Sequence, residues 1–351
     1  MATNNSAGTG AGGTAATADT TFGGNTVAVL GATGFVGRYL VRELLRRGYT
    51  VRALGRSREK ARQVLPRDTR LTFLQGDVFS QKDLAELLRG GEEKAGALIN
   101  LLGIIRETGG GQTFQRVHVD AVREAIAACR EAGVGRFLHM SSLAASPEGK
   151  GGYQKTKWEG EQLVRRSGLD WTIFRPSIIH GPDGEFVQMV KGMCSGQEPP
   201  YYFLPYFSRR RLDMSVPFGR VVWESPRVQP VAVEDVAAAM AESLRRPEAI
   251  GEIYPLGGPD VLDWPEMLTY LRDTIPGCNR KMPPWHIPGT HAAAIARVAK
   301  ALGLGSLLPF DAGTALMAME DSVADLTKAR THLGFSPRPF RPTVAAYAAR
   351  A

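Results

Sequence analysis

Thr26-Val27-Ala28-Val29-Leu30-Gly31-Ala32-Thr33-Gly34-Phe35-Val36-Gly37 is the stretch from which the fold of this 351-residue chain is read. A short apolar run stops at Gly31, and three glycines follow at GxxGxxG spacing. From Phe35 the apolar positions Val36, Leu40, Leu44 and Leu45 recur at helical spacing until Gly48. Strand, glycine turn and helix in that order form a βα unit. Its first glycine permits the tight turn, the second lets a pyrophosphate approach the backbone, and the third lets helix lie on strand. Amides at the helix N-terminus face the phosphate charge.

The unit then repeats. Strands are expected at Thr50–Leu54, Arg70–Leu74, Ala97–Leu101, Arg136–Met140 and Trp171–Phe174, with helices near 58–64, 81–89, 113–132 and 153–167. Gly133 and Gly168 sit where helix C-caps belong. Alternation of this kind predicts an α/β chain built on a Rossmann doubly wound parallel sheet. After Phe174 the rhythm loosens. A helix near 183–194 leads into 195–229, a stretch without clear period that holds seven aromatics and the Arg209-Arg210-Arg211 triplet. A strand at Val228–Val233, a helix at Glu234–Arg246, a strand at Glu252–Leu256 and helices near 263–273, 289–302 and 311–330 complete the pattern. The expected organisation is a disordered Gly/Ala/Thr-rich tail over 1–25, a nucleotide-binding domain over 26–182, and a smaller C-terminal lobe over 183–351. Within that lobe 195–229 is a lid or docking segment, and 228–256 can return to the first domain's sheet.

Composition removes several function classes. The chain is 43% hydrophobic and 22% charged, and no apolar run reaches the ~20 residues of a membrane-spanning helix. The first 25 residues fit neither a signal peptide nor a transit peptide, so the expected location is cytoplasmic or peripheral at a membrane. Three scattered cysteines, Cys129, Cys194 and Cys278, argue against a disulfide framework, and the histidine spacing argues against a metal site. The net charge of +8 is spread along helices, with one tight cluster at Arg209–Arg211, which disfavours nucleic acid as a partner.

Two groups of residues carry chemistry. In the first, Gly31, Thr33, Gly34, Phe35, Val36 and Gly37 are the candidate dinucleotide-phosphate contacts. The second strand ends on Gly55-Arg56-Ser57-Arg58, with no acid before Glu59, where an acid would select NAD and a base accommodates a 2′-phosphate. Arg56 and Ser57 therefore point to NADP(H) in preference to NAD(H). Asp77, followed by Val78, either accepts from the adenine amine or caps the next helix. In the second group, Ser142 ends the fifth strand and Tyr153-Gln154-Lys155-Thr156-Lys157 opens the next helix, with Tyr153 and Lys157 on one face at i, i+4. A neighbouring ammonium is expected to lower the phenol's pKa. Ser142, Tyr153 and Lys157 are the catalytic candidates.

These residues resemble the short-chain dehydrogenase/reductase superfamily in its extended or atypical, epimerase/dehydratase-like branch. The resemblance rests on the glycine loop, Asn100-Leu101-Leu102-Gly103, Ser142, Tyr153, Lys157 and Arg175-Pro176-Ser177-Ile178-Ile179-His180-Gly181. Leu98–Ile104, Glu131–Val134 leading to Phe137–Ser141, Gln229–Val236 and Tyr254–Pro259 are similar to a subgroup, the NADPH-binding accessory subunit of respiratory complex I and its bacterial relatives. The likeness runs from about Thr26 to Thr274. It implies that Tyr153 is the acid/base, that Lys157 orients the ribose, that Ser142 polarises the substrate, and that Leu102, Gly103, Pro176, Ile178 and Ile179 line the nicotinamide. It also implies one of two activities. The first is NADP(H)-dependent hydride transfer on a small-molecule substrate, as a dehydrogenase, reductase, epimerase or dehydratase. The second is a non-catalytic NADPH-binding role, with a quinone-like ligand, a respiratory-complex partner or a membrane surface at 195–229. Amphipathic Ala292–Leu304 either packs on the small lobe or touches a membrane.

Overall fold

The computed structural model describes residues 23–107, 110–304, 308 and 310–351. Most of the expected N-terminal tail, residues 1–22, lies outside the described residues. The chain opens as β1 (Thr26–Leu30), α1 (Phe35–Arg46), β2 (Thr50–Gly55), α2 (Arg58–Val64), β3 (Leu71–Gln75), α3 (Gln81–Arg89) and β4 (Ala97–Asn100). It continues with α4 (Ala121–Ala132), β5 (Arg136–Met140), α5 (Gly152–Arg165) and β6 (Asp170–Pro176). The helix expected over 113–132 begins with a π-helical turn at Arg116–Asp120, ahead of α4.

β1 and β4 are buried at every position, as strands covered on both faces must be. One face of the sheet packs on α1 through Val36, Leu40 and Leu44, and the other on α3 and α4 through Leu84, Leu87, Val122 and Ile126. Gly133, with φ +67°, ends α4 in the left-handed cap that its position in the sequence indicates.

Beyond β6 come β7 (Ile179–His180), α6 (Glu185–Cys194), β8 (Leu204–Asp213) and β9 (Arg220–Glu224). The segment without sequence period is thus largely an antiparallel hairpin, in register from Arg209↔Glu224 to Asp213↔Arg220. Next are β10 (Arg227–Val228), β11 (Val231–Ala232), α7 (Val233–Ser243), β12 (Glu252–Leu256), β13 (Leu262–Asp263) and α8 (Trp264–Thr274). The single strand expected at Val228–Val233 is split at Pro230, which has no N–H to give a ladder. β10 pairs with β13 and β11 with β7. The chain closes with β14 (Pro284–Pro288), α9 (Gly289–Ala301), α10 (Ala312–Met317), α11 (Thr327–Leu333) and α12 (Phe340–Tyr347).

The helix expected over 311–330 is two helices. Between them the backbone bonds to 227–229 instead: Ser322 N–H donates to Arg227 O at 2.8 Å and Gln229 N–H to Ser322 O at 3.0 Å.

The central sheet has the order β3-β2-β1-β4-β5-β6-β12 and is parallel throughout, a Rossmann sheet extended by the late strand β12. α6, α8 and α12 build a separate core over the strand ends from Val187, Val190, Leu268, Leu271 and Phe340. A disulfide joins Cys194 and Cys278 there, with Cα atoms 4.7 Å apart, while Cys129 is free and buried. The sequence argued against a disulfide framework, and the structure forms one disulfide: residues 84 positions apart meet where α6 and α8 pack side by side.

Candidate active site

The turn after β1 is shaped by its glycines. Gly31 has φ +81°, and a Cβ there would lie 3.1 Å from the Leu101 carbonyl carbon. The Gly34 amide donates to Gly31 O at 3.0 Å, and a Cβ on Gly37 would come within 2.1 Å of that same oxygen. No side chain caps α1 and no acid stands in its first turn, so its leading amides remain open to an anionic oxygen. Such a cradle fits the phosphates of a dinucleotide. Phe35 and Val36 contribute backbone only, because the Phe35 ring lies against Gly181 and Gly184 and the Val36 side chain belongs to the core. Thr33 is half-buried beside Gly55.

Arg56 is exposed at the end of β2. The Gln112 amide, in the orientation that satisfies both groups, puts its oxygen 3.2 Å from the guanidinium. Ser57 caps α2 by accepting from Lys60 N–H at 3.1 Å. Asp77 does not cap α3. Ser80 does, and the exposed Asp77 carboxylate accepts from Phe79 N–H at 3.0 Å, leaving further lone pairs open. Val78 is half-buried beside it.

At the C-terminal edge of β5 the second group converges. Ser142 Oγ accepts from Ala144 N–H at 3.2 Å and stands beside the Tyr153 hydroxyl. The Tyr153 ring is held edge-on by Phe114 and His118, at centroid distances of 5.9 and 5.5 Å. Burial raises the Tyr153 pKa, with Ser142 opposing. This corrects the expectation of a phenol acidified by Lys157, since desolvation of the phenolate outweighs everything else at the hydroxyl. The Lys157 ammonium donates to Met140 O at 3.2 Å and is pushed down to about 8 by burial, with Glu161 pulling the other way. Its Nζ lies 3.0 Å from where a Cβ on Gly103 would sit, so a side chain at 103 would displace it.

Several supporting residues escaped the sequence reading. Glu161, fully buried one turn beyond Lys157, takes both nitrogens of a bidentate Arg175 at 2.8 and 2.5 Å. His118 Nε2 accepts from Ile104 N–H at 3.1 Å, so Nδ1 carries the proton and donates to Thr156 Oγ1 at 3.0 Å. Burial and the Lys157 charge push His118 down to about 2, so the ring is neutral at any working pH. Asn100 Oδ1 fixes the Leu102 amide at 3.1 Å. Asn100 and Arg175 stood in the motifs quoted above without a role, and Glu161 lies at i, i+4 from Lys157. His118 and Thr156 are 38 positions apart and meet only through the packing of α5. Pro176 O accepts from Leu143 N–H at 3.1 Å, tying the ends of β5 and β6 together, and Ile178 and Ile179 follow half-buried.

α10 closes this region from above. Gly313 meets Gly151 so closely that a Cβ on Gly313 would lie 2.9 Å from Gly151 Cα. Gln154 Nε2 donates to Glu320 at 2.9 Å. The cavity left between α10 and Tyr153 measures about 10 Å³.

Residues 31–195 match the NAD(P)H-binding family. The chain is 31% identical over 243 residues to the mitochondrial NADH dehydrogenase [ubiquinone] 1 alpha subcomplex subunit 9 of Rattus norvegicus, covering 66% of this chain and 56% of that one. It is 33% identical over 221 residues to the ceramide reductase of Caulobacter vibrioides, covering 63% and 61%. It therefore spans little more than half the length of the curated relatives it matches. Two solved structures share the fold. One is gox2253, with a TM-score of 0.68, 24% identity and coverage of 92% and 96%. The other is the UDP-glucose 4-epimerase of Thermus thermophilus in complex with NAD, with a TM-score of 0.65, 20% identity and coverage of 91% and 96%. Residues 31–195 are thus an NAD(P)H-binding domain. Within that class the chain is a homologue of the complex I subunit and of the ceramide reductase.

Proposed function

We propose that the chain is an NADP(H)-dependent oxidoreductase that reduces or oxidises a small-molecule carbonyl or alcohol with Tyr153, Lys157 and Ser142. The observation that carries this reading is the placement of Ser142 beside the buried Tyr153, with the buried Lys157 ammonium on Met140 O, at the strand edge next to the glycine cradle. Gly31 to Gly37 would hold the pyrophosphate, Arg56 the 2′-phosphate, Lys157 the ribose, and Leu102, Gly103, Pro176, Ile178 and Ile179 the nicotinamide side. Bound there, NADP(H) supplies or accepts the hydride. Ser142 donates to the substrate oxygen. Tyr153, kept protonated at neutral pH by its burial, gives its proton to that oxygen during reduction and recovers it during oxidation. His118 and Phe114 fix the plane of the phenol ring, while Arg175 and Glu161 position Lys157.

The similarity to the rat NADH dehydrogenase subunit supports a second reading, an NADPH-binding accessory protein that does not turn over. In that reading bound cofactor stabilises the fold, and the partner is a respiratory complex, as the name of the rat relative suggests.

Cofactor titration and turnover separate the readings. Arg56→Ala should weaken NADPH by about 10 to 100-fold, given ~1.5–3 kcal/mol for a charge-assisted bond, and leave NADH nearly unchanged. Equal losses for both would remove the NADP(H) assignment. On a panel of ketones, alcohols, lipid carbonyls and sugar nucleotides, Tyr153→Phe should cut kcat by roughly 100-fold or more while NADPH still binds. Tight NADPH binding by the native chain without hydride exchange on any of the panel would favour the accessory role.

A further inference from the structure

The C-terminal lobe carries an exposed apolar surface that the site chemistry does not use. In an antiparallel hairpin directly opposed residues share a face. Arg210 and Trp223 therefore share one face of β8–β9 with Leu212 and Val221. Leu212, Val221 and Trp223 are all exposed. At the tip Met214 is 71% exposed and Phe218 wholly so, and the side chains of Leu212 and Met214 both lie beside Gly219. The opposite face is charged and internally paired, through Arg209 and Arg211 on Glu224 and Arg220 on Asp213. The hairpin is thus amphipathic, with its apolar side turned to solvent.

The same is true of α9, which adjoins it where Trp223 meets His291 at a centroid distance of 6.1 Å. Ala292, Ala293 and Ala296 pack inward, while Ile295, Val298 and Leu302 form an outward stripe, each more than half exposed. Arg297 lies to one side of that stripe, and Lys300 is exposed on the far side of the helix. Among the described residues neither they nor Arg210 forms an ion pair. From Thr274 to Phe310 the sequence has four Lys or Arg and no Asp or Glu.

We propose that this face, made of the β8–β9 tip and the outer stripe of α9, docks on an anionic lipid bilayer. Apolar and aromatic side chains enter the interface while unpaired cations reach the headgroups, each worth about 1 kcal/mol near such a surface. Complementary charge is what selects lipid over a second copy of this chain, because two such faces would bring Arg210 and Arg297 against their own kind. Docking is independent of the hydride chemistry at Tyr153.

The full chain should co-sediment with phosphatidylcholine vesicles containing about one-third phosphatidylglycerol, bind vesicles of phosphatidylcholine alone far less, and be released by high salt. Phe218→Asp and Val298→Asp, both at exposed positions, should each weaken vesicle binding by about tenfold or more without altering NADPH binding. Arg210→Glu, which removes no apolar contact, should do the same and serves if either apolar variant folds poorly. Three results would overturn the proposal. They are a native chain left in the supernatant with anionic vesicles, variants that sediment as the native chain does, or a concentration-dependent dimer in lipid-free buffer that Phe218→Asp dissolves.

Discussion

Lys157 is placed at a cost to the fold. Its ammonium keeps its proton to about pH 10.5 in the unfolded chain but only to about 8 in the native one. Between these values the unfolded state binds more protons, so stability rises with pH through that window, and the penalty is fully present below pH 8. Lys157→Met should therefore stabilise the cofactor-free protein at pH 7 by about 1–3 kcal/mol. Denaturant melts should show that gain shrinking between pH 8 and about 10.5, and a gain equal at pH 7 and above 10.5 would remove the burial account. Tyr153, Lys157 and Ser142 were legible because two lie one helical turn apart and the third ends a strand. His118, Phe114 and Glu161 were not given roles, since what they do depends on which helix faces lie against each other. The raised phenol pKa was missed for the same reason: the charges near Tyr153 could be guessed from spacing, whereas its burial required the fold.

At the scale of elements, the βα rhythm up to β6 placed strands within a residue or two, because each buried strand is bounded by a glycine, a cap or a charged turn. Legibility ended where hydrogen bonds became non-local. Pro230 split one expected strand, and Ser322 gave its backbone bonds to 227–229 rather than to a helix. The β8–β9 hairpin hid its alternation behind an arginine run whose charges pair across strands. The glycine turn remains the most sharply specified element. Gly37→Ala puts a methyl carbon 2.1 Å from Gly31 O, so α1 must lift from β1. A loss of about 2 kcal/mol or more in urea melts is expected, together with failure to retain NADPH. Unchanged affinity for the cofactor would detach it from this turn.

For the whole molecule, the basic excess that charge alone left unassigned divides between places. Arg56 stands exposed at the end of β2, Arg175 pairs with Glu161 and Lys157 is buried against Met140 O, and Arg210, Arg297 and Lys300 are exposed on the lobe. Cysteine chemistry tests the packing of that lobe directly. Alkylation of the unfolded, unreduced chain should label Cys129 alone, and prior reduction should raise the count to three. Three labels without reductant would show Cys194 and Cys278 unpaired.

The course of β12 has a further consequence for how the protein can be divided. Leaving β6, the chain builds α6, the β8–β9 hairpin and α7 and then returns to lay Glu252–Leu256 along β6, before the rest of the lobe. Cutting after residue 182 would strip that cover and leave five residues of β6 with open backbone groups, a template for pairing between molecules. The nucleotide-binding half is therefore not a detachable module. A fragment meant to preserve it must carry the returning strand, spliced across the lobe by a short linker, or it will collect into aggregates.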